Sequence, residues 1–269
     1  MIESICVIAG APRSGTSWLG MLIDSSPIVN YRFQPLFSYA FKDALHPDST
    51  DAEIATVIQQ IDAAENEFLL QSDKRASGLY PTFAKEQRHR CLAFKTCRYQ
   101  YILPRLLRAL PQLKTIGIVR HPCGAVHSWL VNPKEFPPDS DPLKEWRWGG
   151  CKNQGRQEEF FGFYKWKEVA HLYLDLHDQF PDRFALVRYE DLVHETHQEV
   201  RRLFDFLQLR VTPQTEAFIS ECHERHEDSP YAVFKDRRVA ERWVTELQPE
   251  IRDAIVTDVR GTRLERFLA

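Results

Sequence analysis

The chain has 269 residues, with 35 Lys and Arg against 38 Asp and Glu, a net charge of −3, 43% hydrophobic and 27% charged residues. That length suits one large α/β domain with a full core, and the slight negative charge argues against a general nucleic-acid binder. No run of about 18 apolar residues marks a membrane span, and Glu3 without a basic leader argues against a signal peptide.

In chain order, the apolar run Ile5–Ala9 reads as a buried strand. It breaks into Gly10-Ala11-Pro12-Arg13-Ser14-Gly15 and restarts with helical spacing at Trp18, Leu19, Leu22 and Ile23. A strand, a tight Gly-bearing loop and a helix N-terminus form a cradle for an anion. Gly10 to Gly15 has the spacing of a Walker A loop, but Thr16 stands where the lysine belongs and the nearest cation is Arg13. Such a loop suits a phosphate-like group and does not suit a nucleoside triphosphate held with Mg²⁺.

Helical stripes follow at Ile54, Val57, Ile58 and Ile61, and at Leu103, Leu106, Leu107 and Leu110, where Pro104 fits the first turn. Further stripes run through Trp166, Val169, Ala170, Tyr173 and His177, and through Val200, Leu203, Phe204 and Leu207. Cys91–Lys95, Thr115–Val119 and Phe184–Arg188 read as strands, and the proline-rich run from Asn132 to Pro142 as a long surface loop. The alternation predicts a three-layer αβα fold with a central parallel sheet, with residues 1–269 forming one domain. The six cysteines (Cys6, Cys91, Cys97, Cys123, Cys151, Cys222) lack metal-binding spacing and are expected as free thiols in a cytoplasmic setting.

Each predicted strand ends in polar residues: the Gly loop, Lys95-Thr96-Cys97-Arg98, Arg120-His121-Pro122 and Arg188-Tyr189-Glu190-Asp191. In open parallel sheets ligands bind outside these carboxyl ends. Ala11-Pro12-Arg13-Ser14-Gly15-Thr16-Ser17-Trp18-Leu19 resembles the 5′-phosphosulfate loop of sulfotransferases that use 3′-phosphoadenosine 5′-phosphosulfate (PAPS). Ile118-Val119-Arg120-His121-Pro122-Cys123-Gly124-Ala125-Val126-His127-Ser128 resembles their 3′-phosphate motif, a strand-end Arg followed eight positions later by Ser. Ala93-Phe94-Lys95-Thr96 is similar to the segment that supplies a second active-site lysine, and Tyr189-Glu190-Asp191-Leu192 to a family tetrad after a later strand.

The resemblance implies PAPS as co-substrate, no metal, and sulfuryl transfer to a small-molecule or carbohydrate acceptor. It places Pro12, Arg13, Ser14, Gly15, Thr16, Ser17 and Trp18 on the phosphosulfate, and Arg120 and Ser128 on the 3′-phosphate. Lys235 and Arg238, before Trp243, fall where relatives close a basic loop and a tryptophan over the nucleotide. A kinase would need a strand-end acid for Mg²⁺, whereas the neighbouring strands here end in Lys95 and Arg120.

Two departures stand out. Gln34 occupies the place of a Glu that precedes Pro in carbohydrate sulfotransferases, and Cys97 the place of a catalytic His two residues after the lysine. Arg13, Lys95 and Gln34 are then the expected catalytic group, with Gln34 orienting the acceptor and His46 or Asp43 as stand-in bases. Tyr31, Gln34, Tyr39, Phe41, His46 and the proline-rich loop are expected to line the acceptor pocket. Tyr189, Glu190 and Asp191 read as bracing for a strand end, His127 as facing solvent or packing on its helix, and the aromatics from Trp146 to Trp166 as core. The competing readings are a catalytically silent PAPS-binding protein and a P-loop nucleotide kinase.

Overall fold

The computed structural model describes residues 2–225, 227, 233–234 and 237–269, with the side chains of His223, Arg237 and Arg238 outside that description. Five strands form one sheet: β1 (Ser4–Gly10), β2 (Val29–Arg32), β3 (Cys91–Thr96), β4 (Leu113–Val119) and β5 (Phe184–Arg188). Their order is β2-β3-β1-β4-β5, and every pairing is parallel. The three-layer αβα expectation holds. One strand, β2, escaped the sequence reading because its four residues, Val-Asn-Tyr-Arg, sit on the sheet edge and alternate with polar side chains.

Two cores follow from the pleat. Ile5, Val7 and Ala9 face one side, against α2 (Asp51–Ala63), α3 (Leu103–Ala109), α5 (Phe163–Gln179) and α9 (Pro249–Val259). Cys6 and Ile8 face the other, against α1 (Thr16–Asp24), α7 (Thr196–Leu207) and α8 (Pro213–Glu224). A strand covered on both faces must be apolar throughout, which is why β1 reads as an unbroken run. Ile5 and Ile8 are nearly or fully buried, and such burial stabilises by about 1.5–3 kcal/mol per side chain.

Two more helices follow strands: α4 (Pro122–Leu130) is separated from β4 by two residues, and the short α6 (Tyr189–His194) starts directly after β5. The segment 132–141 carries no regular structure, and Pro142 opens a single helical turn to Glu145. The chain passes from β3 across β1 to β4, so connections leave the sheet in opposite directions around β1. That arrangement opens a crevice at the carboxyl end of the central strand.

Candidate active site at the strand ends

The loop after β1 is tightly determined. Arg13 and Gly15 adopt positive φ values of 70° and 90°. A Cβ on Gly15 would stand 2.5 Å from the Tyr189 ring, and one on Gly10 would stand 2.5 Å from Thr16 Cγ2. Only glycine fits both places. Helix α1 begins at Thr16 with no side-chain cap, so its first N–H groups remain available to an anion in the loop.

Three cations converge on this loop. Lys95, at the end of β3, donates from Nζ to Ser17 Oγ at 2.9 Å and lies 4.4 Å from the centroid of the Phe33 ring. Burial lowers its pKa, against the opposing pull of the Cys97 thiol. Cys97 Sγ in turn is 3.1 Å from Thr16 Oγ1. Arg120, following β4, donates from NH1 to the Arg13 carbonyl at 3.2 Å and from NH2 to the Val239 carbonyl at 3.3 Å. Its guanidinium covers the Tyr189 ring at 4.6 Å, and its buried Nε has no hydrogen-bond partner among the described residues. Arg13 donates from Nε to Ser128 Oγ at 3.2 Å and lies 3.6 Å from Glu135 Oε2.

These groups border one cavity of about 420 Å³. On the β2–β3 side its wall includes Phe33, Gln34, Phe37, Lys74, Cys97 and Arg98; on the β4–β5 side, Trp18, Arg120, Tyr189, Val193 and Val239. Burial, together with Lys95 and Lys134, lowers the pKa of Lys74 to about 8. The cavity also receives Ser128, Lys134 and Glu135 from α4 and the loop beyond it, and Lys152, Glu159 and Phe161 from further along.

Of the residues singled out in the sequence, Pro12, Arg13, Gly15, Thr16, Ser17, Trp18, Gln34, Lys95, Arg120 and Ser128 all reach this cavity. Ser14 does not: it is fully buried, its Oγ without a hydrogen-bond partner among the described residues. Lys235 lies outside the described residues, as does the side chain of Arg238. Trp243 stacks on His121 with centroids 4.1 Å apart and is not part of the cavity wall. Ser128 and Arg120, expected at a separate 3′-phosphate site, both touch Arg13, so the residues expected at the two anion sites meet there.

The acceptor-side expectations need correction. Tyr31 packs under Gly20, Phe41 is buried in the core, and Tyr39 projects fully into solvent. Asp43 accepts a hydrogen bond from Tyr99 OH at 3.1 Å, and neither it nor His46 borders the cavity. Phe33 and Phe37 line the wall instead, because Gln34 in the left-handed region (φ 43°) turns the chain between them. His127 is buried and lies 3.2 Å from Glu246. Trp146, Phe160, Phe163 and Trp166 belong to the core, whereas Phe161 borders the cavity and Trp148 is exposed. Glu190 accepts from the His121 N–H at 3.0 Å and Asp191 pairs with Arg188 at 3.4 Å, as bracing groups would. Tyr189 does more than brace, since its ring forms part of the wall. Glu135 and Glu159 carried no signal in the sequence, lying in irregular segments with no neighbouring motif.

A parallel αβα sheet with a Gly-bearing anion loop at its central strand defines a P-loop-like protein. A sequence model of the sulfotransferase family matches residues 6–214, and the chain belongs to that family. A Caenorhabditis briggsae protein provisionally named as a protein-tyrosine sulfotransferase is 22% identical over 214 residues, covering 79% of this chain and 68% of that one. The fold is shared with a mouse sulfotransferase complexed with PAP, the desulfated nucleotide (TM-score 0.54, 16% identity, 100% of this chain and 88% of that one). It is also shared with a sulfotransferase from Alicyclobacillus acidocaldarius (TM-score 0.55, 15% identity, 100% and 96%).

Proposed function

We propose that the protein transfers a sulfuryl group from PAPS to a hydroxyl or amine of a small-molecule or carbohydrate acceptor. The observation that carries this reading is the convergence of Arg13, Lys95 and Arg120 on one glycine-bearing loop and one cavity. PAPS is charged at both ends, and cations from two different strand ends can hold both. The loop N–H groups, Arg13 and Lys95 would take up charge on the bridging oxygen as the S–O bond breaks. Arg120 and Ser128 would hold the 3′-phosphate and so fix orientation. Gln34, an amide on the acceptor side, would orient the acceptor by hydrogen bonds.

The strand ends beside the loop carry Lys95 and Arg120, the wrong sign for a metal, and the transferred group bears less charge than a phosphoryl group. The reading therefore requires no metal. Ile251, Ile255, Val259 and Phe267 join the same core as α2 and α5, which supports one domain over residues 1–269. Among the described residues no helix is long and apolar enough to cross a membrane. The six unpaired cysteines favour a cytoplasmic setting. A silent nucleotide-binding protein is the second reading, favoured by Gln34 and Cys97 at the two places where relatives carry a base.

Thermal unfolding tests the nucleotide assignment. At about 100 times its dissociation constant, PAP should add roughly 2.7 kcal/mol of stability without metal. A shift with ATP and Mg²⁺ but none with PAP would sink the sulfotransferase reading in favour of a kinase.

A further inference from the structure

The transfer just proposed releases a proton from the acceptor, and neither Gln34 nor Cys97 sits there as a conventional base. Among the described residues the cavity wall nevertheless holds two carboxylates, Glu135 and Glu159. They differ in what they face. Glu159 is fully buried and ion-paired to Arg98, beyond the end of β3. Glu135 lies 3.6 Å from the Arg13 guanidinium, and its charge also acts on Lys95. Those are the two cations expected to flank the breaking S–O bond.

The seat of Glu135 is built. Asn132, almost fully buried, donates from Nδ2 to Glu135 Oε2 at 2.9 Å, and its Oδ1 accepts from the Lys134 N–H at 3.2 Å. The Glu135 N–H donates to the Asn132 carbonyl at 2.9 Å, while Trp129 Nε1 donates to the Glu135 carbonyl at 3.3 Å. A side chain near the start of the proline-rich loop is thereby fixed in place, as a positioned proton acceptor must be.

We infer that Glu135 is the proton acceptor of the transfer, ion-paired to Arg13 until the phosphosulfate of the nucleotide takes that guanidinium away. As the acceptor oxygen forms its bond to sulfur, the S–O bond to the phosphate breaks and the electron pair leaves with PAP. The acceptor proton passes to the Glu135 carboxylate, and the product is a sulfate ester. Among the described residues, Glu135 faces Arg13 from the loop and Lys95 from β3, with Lys134 beside it in the chain.

This inference rests on the sulfotransferase reading, so its test has an arm that needs no acceptor. PAP is titrated calorimetrically into the wild type and Glu135→Gln from pH 5 to 8. Removing the competitor for Arg13 should tighten PAP about two- to fivefold near pH 8. A second arm follows sulfate release from radiolabelled PAPS, to water and to 2-naphthol. Glu135→Gln should lower turnover by about 10²–10⁴-fold, and Glu135→Asp should recover part of the rate. Equal PAP affinity at every pH, or turnover within about threefold of wild type, overturns the assignment. A large loss in Glu159→Gln with none in Glu135→Gln also overturns it. If wild type and variant alike fail to bind PAP, the nucleotide reading itself falls.

Discussion

Gly15 and Arg13 illustrate how much of the site is decided one residue at a time. Gly15 combines a φ of 90° with contact against Tyr189, so Gly15→Ala requires both a strained backbone and a displaced ring. The expected cost is about 1–3 kcal/mol, read by urea denaturation, together with weakened PAP binding. Unchanged stability would mean that the loop can relax away from Tyr189. The two arginines should separate by role. Arg120→Ala removes donors to the Arg13 and Val239 carbonyls and should weaken PAP by about 1.5–3 kcal/mol. Arg13→Ala should lower turnover more than affinity, because its charge matters most as the leaving phosphate develops. If both variants changed affinity alone, Arg13 would be an anchor and not a catalyst. These residues were visible in sequence because strand, loop and helix start are contiguous there. Glu135 was invisible because its partner Arg13 lies in a different element, and no local pattern ties them.

At the scale of elements, the helices act on the loop from behind. Tyr173 on α5 donates to Gln100 Oε1 at 2.7 Å, and Gln100 Nε2 donates to the Gly10 carbonyl at 3.2 Å. Trp166 on the same helix donates to the Arg120 carbonyl at 2.9 Å. One helix therefore steadies the ends of β1 and β4 together. Tyr173→Phe would leave a buried acceptor on Gln100 unpaired, costing about 1–3 kcal/mol in chemical denaturation, and PAP affinity should fall with it. A stability loss without any change in PAP affinity would confine the role of this relay to packing. The period of α5 was legible, since Trp166, Val169, Ala170 and Tyr173 mark its buried face. Its polar task was not legible, because a helical stripe says which residues are buried and nothing about which hydroxyl or indole meets which carbonyl. β2 shows the opposite limit: four residues with two polar side chains do not stand above the background of a loop.

Across the whole molecule, the C-terminal part beyond the matched family region closes over the start of α4. Trp243 stacks on His121, Glu246 lies 3.2 Å from His127, and Lys167 on α5 pairs with Asp258 on α9. His121 Nδ1 accepts a hydrogen bond from the Cys123 N–H at 3.2 Å, which requires an unprotonated nitrogen there. Burial first, then Arg120 and Arg188, pushes the His121 pKa down to about 4. Between its ordinary value of 6.5 and about 4, the unfolded chain binds a proton that the folded chain refuses. Stability therefore falls as pH drops through that window, by up to about 3 kcal/mol for this residue alone. His127, also lowered chiefly by burial, acts in the same direction. Glu190 acts in the other, because burial raises its pKa and the fold takes up its proton more readily than the unfolded chain. Denaturation midpoints measured from pH 7 to 4 should fall steeply in the wild type. The slope should be shallower in His121→Asn, whose side chain can still accept from the Cys123 N–H but cannot titrate. An equally steep slope in that variant would place the acid-labile group elsewhere and free the His121–Trp243 stack from any part in holding the C-terminal segment on α4.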